Sequence, residues 1–175
     1  FGVAILDCGA ERLSEEQAVR RITEMPARLV CFVVYGQNPH SGTTNMIGAT
    51  SLARKLKAVQ KGAKTCFVGS HTSALPKEVL SLAEVDFILL NEGVYALQNL
   101  LRTDLQSKLD QVKGIGHKQN GQPVLNPPEI VVPNDKMDTD LPGYAWDLLP
   151  YKTKPLDLYR AHFWHAEFNH DYRTP

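Results

Sequence analysis

The sequence predicts an α/β fold, a doubly wound parallel sheet, on three observations. Short apolar runs alternate with helical patterns from Val3 to Leu101. One run, Thr65-Cys-Phe-Val, stops abruptly at Gly69, and a small hydroxyl-rich loop follows before Pro76 opens a helix. A similar loop, Gly36-Gln-Asn-Pro-His-Ser-Gly-Thr-Thr44, follows the preceding run. Parallel strands deliver such loops to one edge of a sheet, where α/β proteins bind ligands.

The elements are expected in this order. Val3 to Asp7 reads as a first strand. Ser14 to Thr23 reads as a helix, with Ser14 at the N-cap and Gln17 in the capping-box position. Leu29 to Tyr35 is a second strand, apolar on both faces as a buried parallel strand is. Met46 to Gln60 places Ile47, Leu52, Leu56 and Val59 at helical spacing, and Gly62 ends the helix. Thr65 to Val68 is the third strand, and Pro76 to Ala83 is a helix with proline in its first turn. Asp86 to Leu90 is the fourth strand, and Tyr95 to Leu101 the helix after it. Such alternation implies right-handed crossovers. Asn120-Gly121 is a hairpin turn signal, so Gly114 to Val124 is expected as a β-hairpin appendage.

From Asn126 onward Pro, Asp and Asn become frequent. The expected division is a sheet domain over 1–125 and a linker arm over 126–175. A doubly wound sheet usually has its first strand in the centre. If Phe1 lies at the second strand of a larger unit, a central strand and helix are missing here. The start at Phe1, already inside an apolar run, gives the same expectation of a longer polypeptide.

Composition excludes several classes of function. The 175 residues are 43% hydrophobic, enough for one sizeable core. Lys+Arg and Asp+Glu stand at 19 each with no charged block, which argues against nucleic-acid binding. No apolar run is long enough to span a membrane. Cys31 and Cys66 sit inside apolar runs and Cys8 is distant, so buried thiols are expected in a reducing, cytoplasmic setting.

The loops after the second, third and fourth strands are expected on one edge. They offer Gly36, Gln37, Asn38, His40, Ser41, Gly42, Thr43 and Thr44; then Gly69, Ser70, His71, Thr72 and Ser73; then Asn91, Glu92 and Gly93. Glycines let a flat ligand approach the backbone, and hydroxyls and amides bond neutral polar groups. No phosphate-binding glycine motif is present. Ordinary polar loops have the same composition. Asp7 and Glu92, at strand ends, read either as helix N-terminus stabilisers or as ligand contacts.

These segments resemble a family. Gly69-Ser-His-Thr-Ser-Ala-Leu-Pro76-Lys-Glu-Val-Leu, followed by Val85-Asp-Phe-Ile-Leu-Leu-Asn-Glu92-Gly93, is similar to the cobalamin-binding (B12) domain that precedes many radical S-adenosylmethionine enzymes. There the third-strand loop reads Gly-Gly-Pro-His and the fourth strand ends Gly-Glu-Gly-Glu. Gln37-Asn-Pro39 through Asn45-Met46 and Leu52-Ala-Arg-Lys-Leu-Lys57 match the segment after the second strand. Leu141-Pro142 and Trp146-Asp147-Leu-Leu-Pro150-Tyr151 resemble the linker before the radical domain, and Tyr172-Arg173-Thr174-Pro175 would precede its cluster cysteines.

The resemblance implies a Rossmann-like domain that binds cobalamin for a methyltransferase or a related carbon–carbon bond-forming enzyme. The implied partners are a radical domain of the same polypeptide, carrying a 4Fe-4S cluster and S-adenosylmethionine, and a small-molecule substrate. The cobalt-ligating Asp-x-His-x-x-Gly motif is absent, as are the cluster cysteines. The implied cofactor-binding residues are Asp7, Tyr35, Gly36, Gln37, Asn38, Ser41, Thr43, Thr44, Gly69, Ser70, His71, Thr72, Ser73, Asn91, Glu92 and Gly93. Tyr35, Gln37 or Asn38 would face the lower side of the corrin, and His71 would shape its loop.

His40 is weighed as a cobalt ligand, although loop histidines are more often solvated. Ser70, Asn91 and Val94 depart from the family pattern. His162, His165 and His170, with Glu167 and Asp171, are expected to lie in the arm rather than bind metal. Trp146, Trp164 and Tyr172 read as docking aromatics. The rival readings are a Rossmann-like nucleotide or nucleotide-sugar enzyme domain and a receiver-like interaction module. The first lacks a phosphate loop, and Asp7 lacks the acidic neighbours the second needs.

Overall fold

A computed structural model of the protein describes residues 1–36, 39–141 and 143–150. The fold is α/β and Rossmann-like: a five-stranded mixed sheet with helices on both faces. Its strands are β1 (Val30–Val33), β2 (Thr65–Val68), β3 (Phe87–Leu89), β4 (Ile115–Gln119) and β5 (Gln122–Leu125). They lie in the order β1-β2-β3-β4-β5. β1, β2 and β3 are parallel, and β4 and β5 are antiparallel.

The helices are α1 (Glu15–Thr23), α2 (Pro39–Val59), α3 (Ser70–Ala74), α4 (Pro76–Ser81), α5 (Val94–Leu101) and the short α6 (Met137–Asp140). Alternation along each strand sorts the core into two layers. Phe32, Phe67 and Ile88 face α1, α2 and α4, meeting Val19, Leu56 and Leu80. Phe32 and Phe67 stack with ring centroids 4.7 Å apart. On the other face Cys66, Phe87, Leu89 and Ile115 meet Ala96 and Leu100 of α5. Arg28 fixes the end of α5 by donating to the carbonyls of Leu101 and Thr103, a basic group placed where a helix leaves carbonyls unpaired.

Several expectations hold in detail. Ser14 and Gln17 form the full capping box of α1, each side chain bonding the other's backbone N–H. Asn120 and Gly121 take φ of 52° and 77°, the left-handed pair that a type I′ hairpin turn requires. The hairpin is not an appendage, however. β4 pairs with β3 along Phe87, Ile88 and Leu89, so the hairpin extends the main sheet.

Three expectations need correction. Val3 to Asp7 forms no strand, and Phe1, Val3 and Ile5 are exposed. The alternation there is that of a strand, but a strand needs a neighbour and none of the described strands pairs with it. β1 is not buried on both faces. It is the edge of the described sheet, and Val33 is 68% exposed. Finally, α2 begins at Pro39, not near Met46, and residues 70–74 form α3. Both loops are therefore largely first turns of helices.

Residues 126 and 127 run on beside β4, with Asn126 N–H donating to Ile115 and Gly114 N–H to Pro127. The described remainder of the arm runs over 128–133 without regular structure, where Val132 is buried, and then in short helical turns with largely exposed side chains, among them Tyr144 and Trp146, whose rings lie 5.6 Å apart. Among the described residues no helix is long and apolar enough to cross a membrane.

Candidate cofactor-binding site at the carboxyl edge of the sheet

Strands β1, β2 and β3 share one direction, so the segments after them leave the same edge. Contacts between their residues join all three segments. Thr43 Oγ1 is hydrogen-bonded to His71 Nδ1 at 3.0 Å, linking the start of α2 to α3. The Asn91 N–H donates to Ser73 Oγ at 3.0 Å, linking α3 to the turn after β3. Asn45 Nδ2 donates to the Tyr35 carbonyl at 3.0 Å, so α2 also holds the chain leaving β1.

The glycines do a different job from the one expected. A Cβ on Gly69 would lie 2.0 Å from the Val34 carbonyl oxygen, and its φ of 150° is one that side chains rarely adopt. A Cβ on Gly36 would meet Ser41 at 2.4 Å, and one on Gly42 would meet the Ser70 hydroxyl at 2.8 Å. On Gly93 it would meet Leu89 at 2.8 Å. The chain itself fills these spaces. Small residues here let three segments close on one another, rather than opening backbone to a flat ligand.

The rim is mostly uncharged, with the Glu92 carboxylate as its acidic member, and partly open. Tyr35, Thr43, Thr44, Ser70, Asn91 and Glu92 are exposed, while Ser41, His71 and Ser73 are half-buried. Thr72 is wholly buried, and its hydroxyl has no hydrogen-bond partner. Most buried polar groups have one; both ring nitrogens of buried His117, paired with Phe87 at the start of β3, share this lack. Asn91 takes a left-handed φ of 57°, which aims its backbone N–H back at Ser73. His40 lies exposed in the first turn of α2, with its carbonyl accepting from Thr44 Oγ1. Gln37 and Asn38 lie outside the described residues, as do Trp164, Tyr172 and the histidines between 151 and 175.

Asp7 is bound locally. Its Oδ1 accepts the Ala10 N–H at 2.9 Å and its carbonyl accepts that of Glu11, which caps the turn leading to α1. That is the turn-stabilising role expected of a short acidic side chain.

Two hollows border the rim. A groove of about 240 Å³ runs between α2 and α3–α4, lined by Thr43, Met46, Ile47, Thr50, His71, Glu78, Val79 and Leu82. A hollow of about 10 Å³ lies between Leu90–Ala96 and Glu129–Val132. Among the described residues no three His, Cys, Asp or Glu side chains group as metal ligands.

Sequence reasoning missed a polar cluster at the opposite edge. Asp86, just before β3, accepts from Lys57 Nζ and from the Thr65 N–H, and its own N–H donates to Thr65 Oγ1. The Thr65 hydroxyl also donates to the Glu84 carbonyl, and buried Glu84 pairs with Arg54 at 2.8 Å. Lys118 donates to the Leu82 carbonyl, and burial lowers its pKa. Thr65 and Asp86 stand at strand starts, but nothing in the sequence pairs them with Lys57 or with each other. No protein-family model matches the chain, and no curated protein matches it significantly.

Proposed function

We propose that the chain is a cobalamin-binding domain of a radical S-adenosylmethionine enzyme. The observation that carries this reading is the exposed rim of hydroxyls and amides, with a single carboxylate at Glu92, at the carboxyl edge of the parallel strands. These residues fit a large, amide-rich, weakly charged cofactor better than a pyrophosphate, for which no glycine-rich phosphate loop is present.

In this reading the corrin lies over the open carboxyl edge beside Tyr35, with Ser70, Thr44 and Asn91 bonding its amide arms. The 240 Å³ groove is smaller than pockets that enclose a drug-sized ligand, roughly 300 Å³ and up, so it takes one arm or part of the nucleotide tail. Bound cobalamin supplies methyl-carrying or related radical chemistry. The domain binds and orients it, and a radical domain carrying a 4Fe-4S cluster and S-adenosylmethionine performs the radical step on a small-molecule substrate. Tyr144 and Trp146 in the arm are placed to dock that domain.

The test is retention of colour. The intact natural polypeptide, reconstituted with hydroxocobalamin and desalted, is expected to keep a corrin absorption band. Loss of the band on desalting overturns the reading.

A further inference from the structure

Cys31 and Cys66 occupy the same register position on neighbouring parallel strands. Side chains in register on adjacent strands leave the same face of a sheet, and here both belong to the core layer under α5. Strands lie about 4.8 Å apart, inside the ~4.4–6.8 Å between Cα atoms that a disulfide spans.

Their surroundings differ. Cys66 is wholly buried, whereas Cys31 is half-buried on the edge strand, two residues before the exposed Val33. The neighbouring Cys66 thiol lowers the pKa of Cys31. Burial, then the Cys31 thiol beside it, pushes the Cys66 thiol up. Cys31 is therefore the more accessible and more readily ionised of the two, the member that meets a small reagent first, and Cys66 the member that resolves.

We propose that Cys31 and Cys66 form a peroxide-sensitive dithiol that closes reversibly to a disulfide across β1 and β2. The Cys31 thiolate attacks one oxygen of hydrogen peroxide, forming a sulfenic acid and releasing hydroxide. The Cys66 sulfur attacks the Cys31 sulfur, forming the S–S bond and expelling the second oxygen. The two thiol protons end in the two water molecules formed. The cysteine pair loses two electrons and the peroxide gains them. A thiol reductant restores both thiols. The bridge ties the edge strand to its only described neighbour just before Tyr35 and Gly36, so oxidation fastens one wall of the candidate site. This proposal does not depend on which ligand the site takes.

Cys8 is the internal control. It lies in the turn before α1, and burial, then Asp7 and Glu11, raises its pKa. The full chain is treated with stoichiometric hydrogen peroxide, alkylated and analysed by intact and peptide mass spectrometry. The expected result is loss of two hydrogens, a cross-linked peptide pair containing Cys31 and Cys66, alkylation of Cys8 alone, and full reversal by dithiothreitol. Cys66→Ser is expected to leave a sulfenic acid at Cys31 that dimedone traps. Where that variant does not fold, the wild-type peptide map decides alone. The proposal is overturned by three alkylatable thiols after treatment, by a bridge through Cys8, or by oxygen added at Cys31 with Cys66 still alkylatable.

Discussion

The two ends of the parallel strands are built on opposite principles. At the amino end, Asp86, Thr65, Lys57, Glu84 and Arg54 form a cluster of charges and hydroxyls with their partners in place. At the carboxyl end the side chains are mostly hydroxyls and amides, largely exposed, with Glu92 as the one carboxylate and the buried Thr72 hydroxyl left unpaired. An ionic cluster that is fully bonded fixes where strands start but leaves nothing for a ligand. An exposed, mostly uncharged rim contributes less to stability and is free to bind. The contrast assigns structure to one edge and recognition to the other.

The largest expected effect comes from Gly69, where the recognition edge depends on close packing. Gly69→Ala places a methyl group 2.0 Å from the Val34 oxygen at a φ of 150°. It should cost about 4 kcal/mol or more, because the clash is with backbone and cannot relax by rotamer change. Urea denaturation reads this, and a loss under about 1 kcal/mol would mean that the β1–β2 junction is looser than described.

Breaking the opposite edge should cost somewhat less. Asp86→Ala leaves the Thr65 N–H without its acceptor and the Lys57 ammonium, only 20% exposed, with the Ala63 carbonyl but no counter-charge. The expected loss is about 3 kcal/mol in the same denaturation experiment. Corrin retention by the folded fraction should not change, since no rim residue bonds Asp86. Altered retention at full folding would merge the two edges into one functional unit.

The smallest effect sharpens the contrast most. Thr72→Val removes a hydroxyl that is 0% exposed and has no partner. Without ligand the variant should be more stable than the parent by about 1 kcal/mol. A variant destabilised in the ligand-free state would show that the hydroxyl is already bonded within the protein.

Local signals in the sequence carried the elements whose partners are local. The capping box at Ser14 and Gln17 and the hairpin at Asn120-Gly121 need only residues a few positions apart, and both are present. Val3 to Asp7 shows the limit of such signals. Its alternation states a preference for extended chain, whereas forming a strand depends on a neighbour. The start of α2 was hidden by small polar residues that suggested a loop. Pro39, suited to a first helical turn, was the signal that could have found it. The convergence of the three site segments followed from parallel strand direction alone. The bonds that stitch them, Thr43 to His71 and Ser73 to Asn91, join distant parts of the chain and left no local trace. The Asp86 cluster was unreadable for the same reason.

The type I′ turn between β4 and β5 also has a consequence in time. A hairpin with a two-residue turn closes in about 1–10 μs because its ends begin as neighbours. Val30 reaches Thr65 only after the whole of α2 has been brought round, and such distant pairing is slow. The sheet is therefore expected to grow from β5 toward β1, with the rim that ends at Tyr35 closing last. Pulse-labelled hydrogen exchange should find the β4 amides protected before those of β1, and the reverse order would refute this sequence. On this order of assembly, a chain emerging from denaturant acquires its scaffold first and its recognition edge only in the final step.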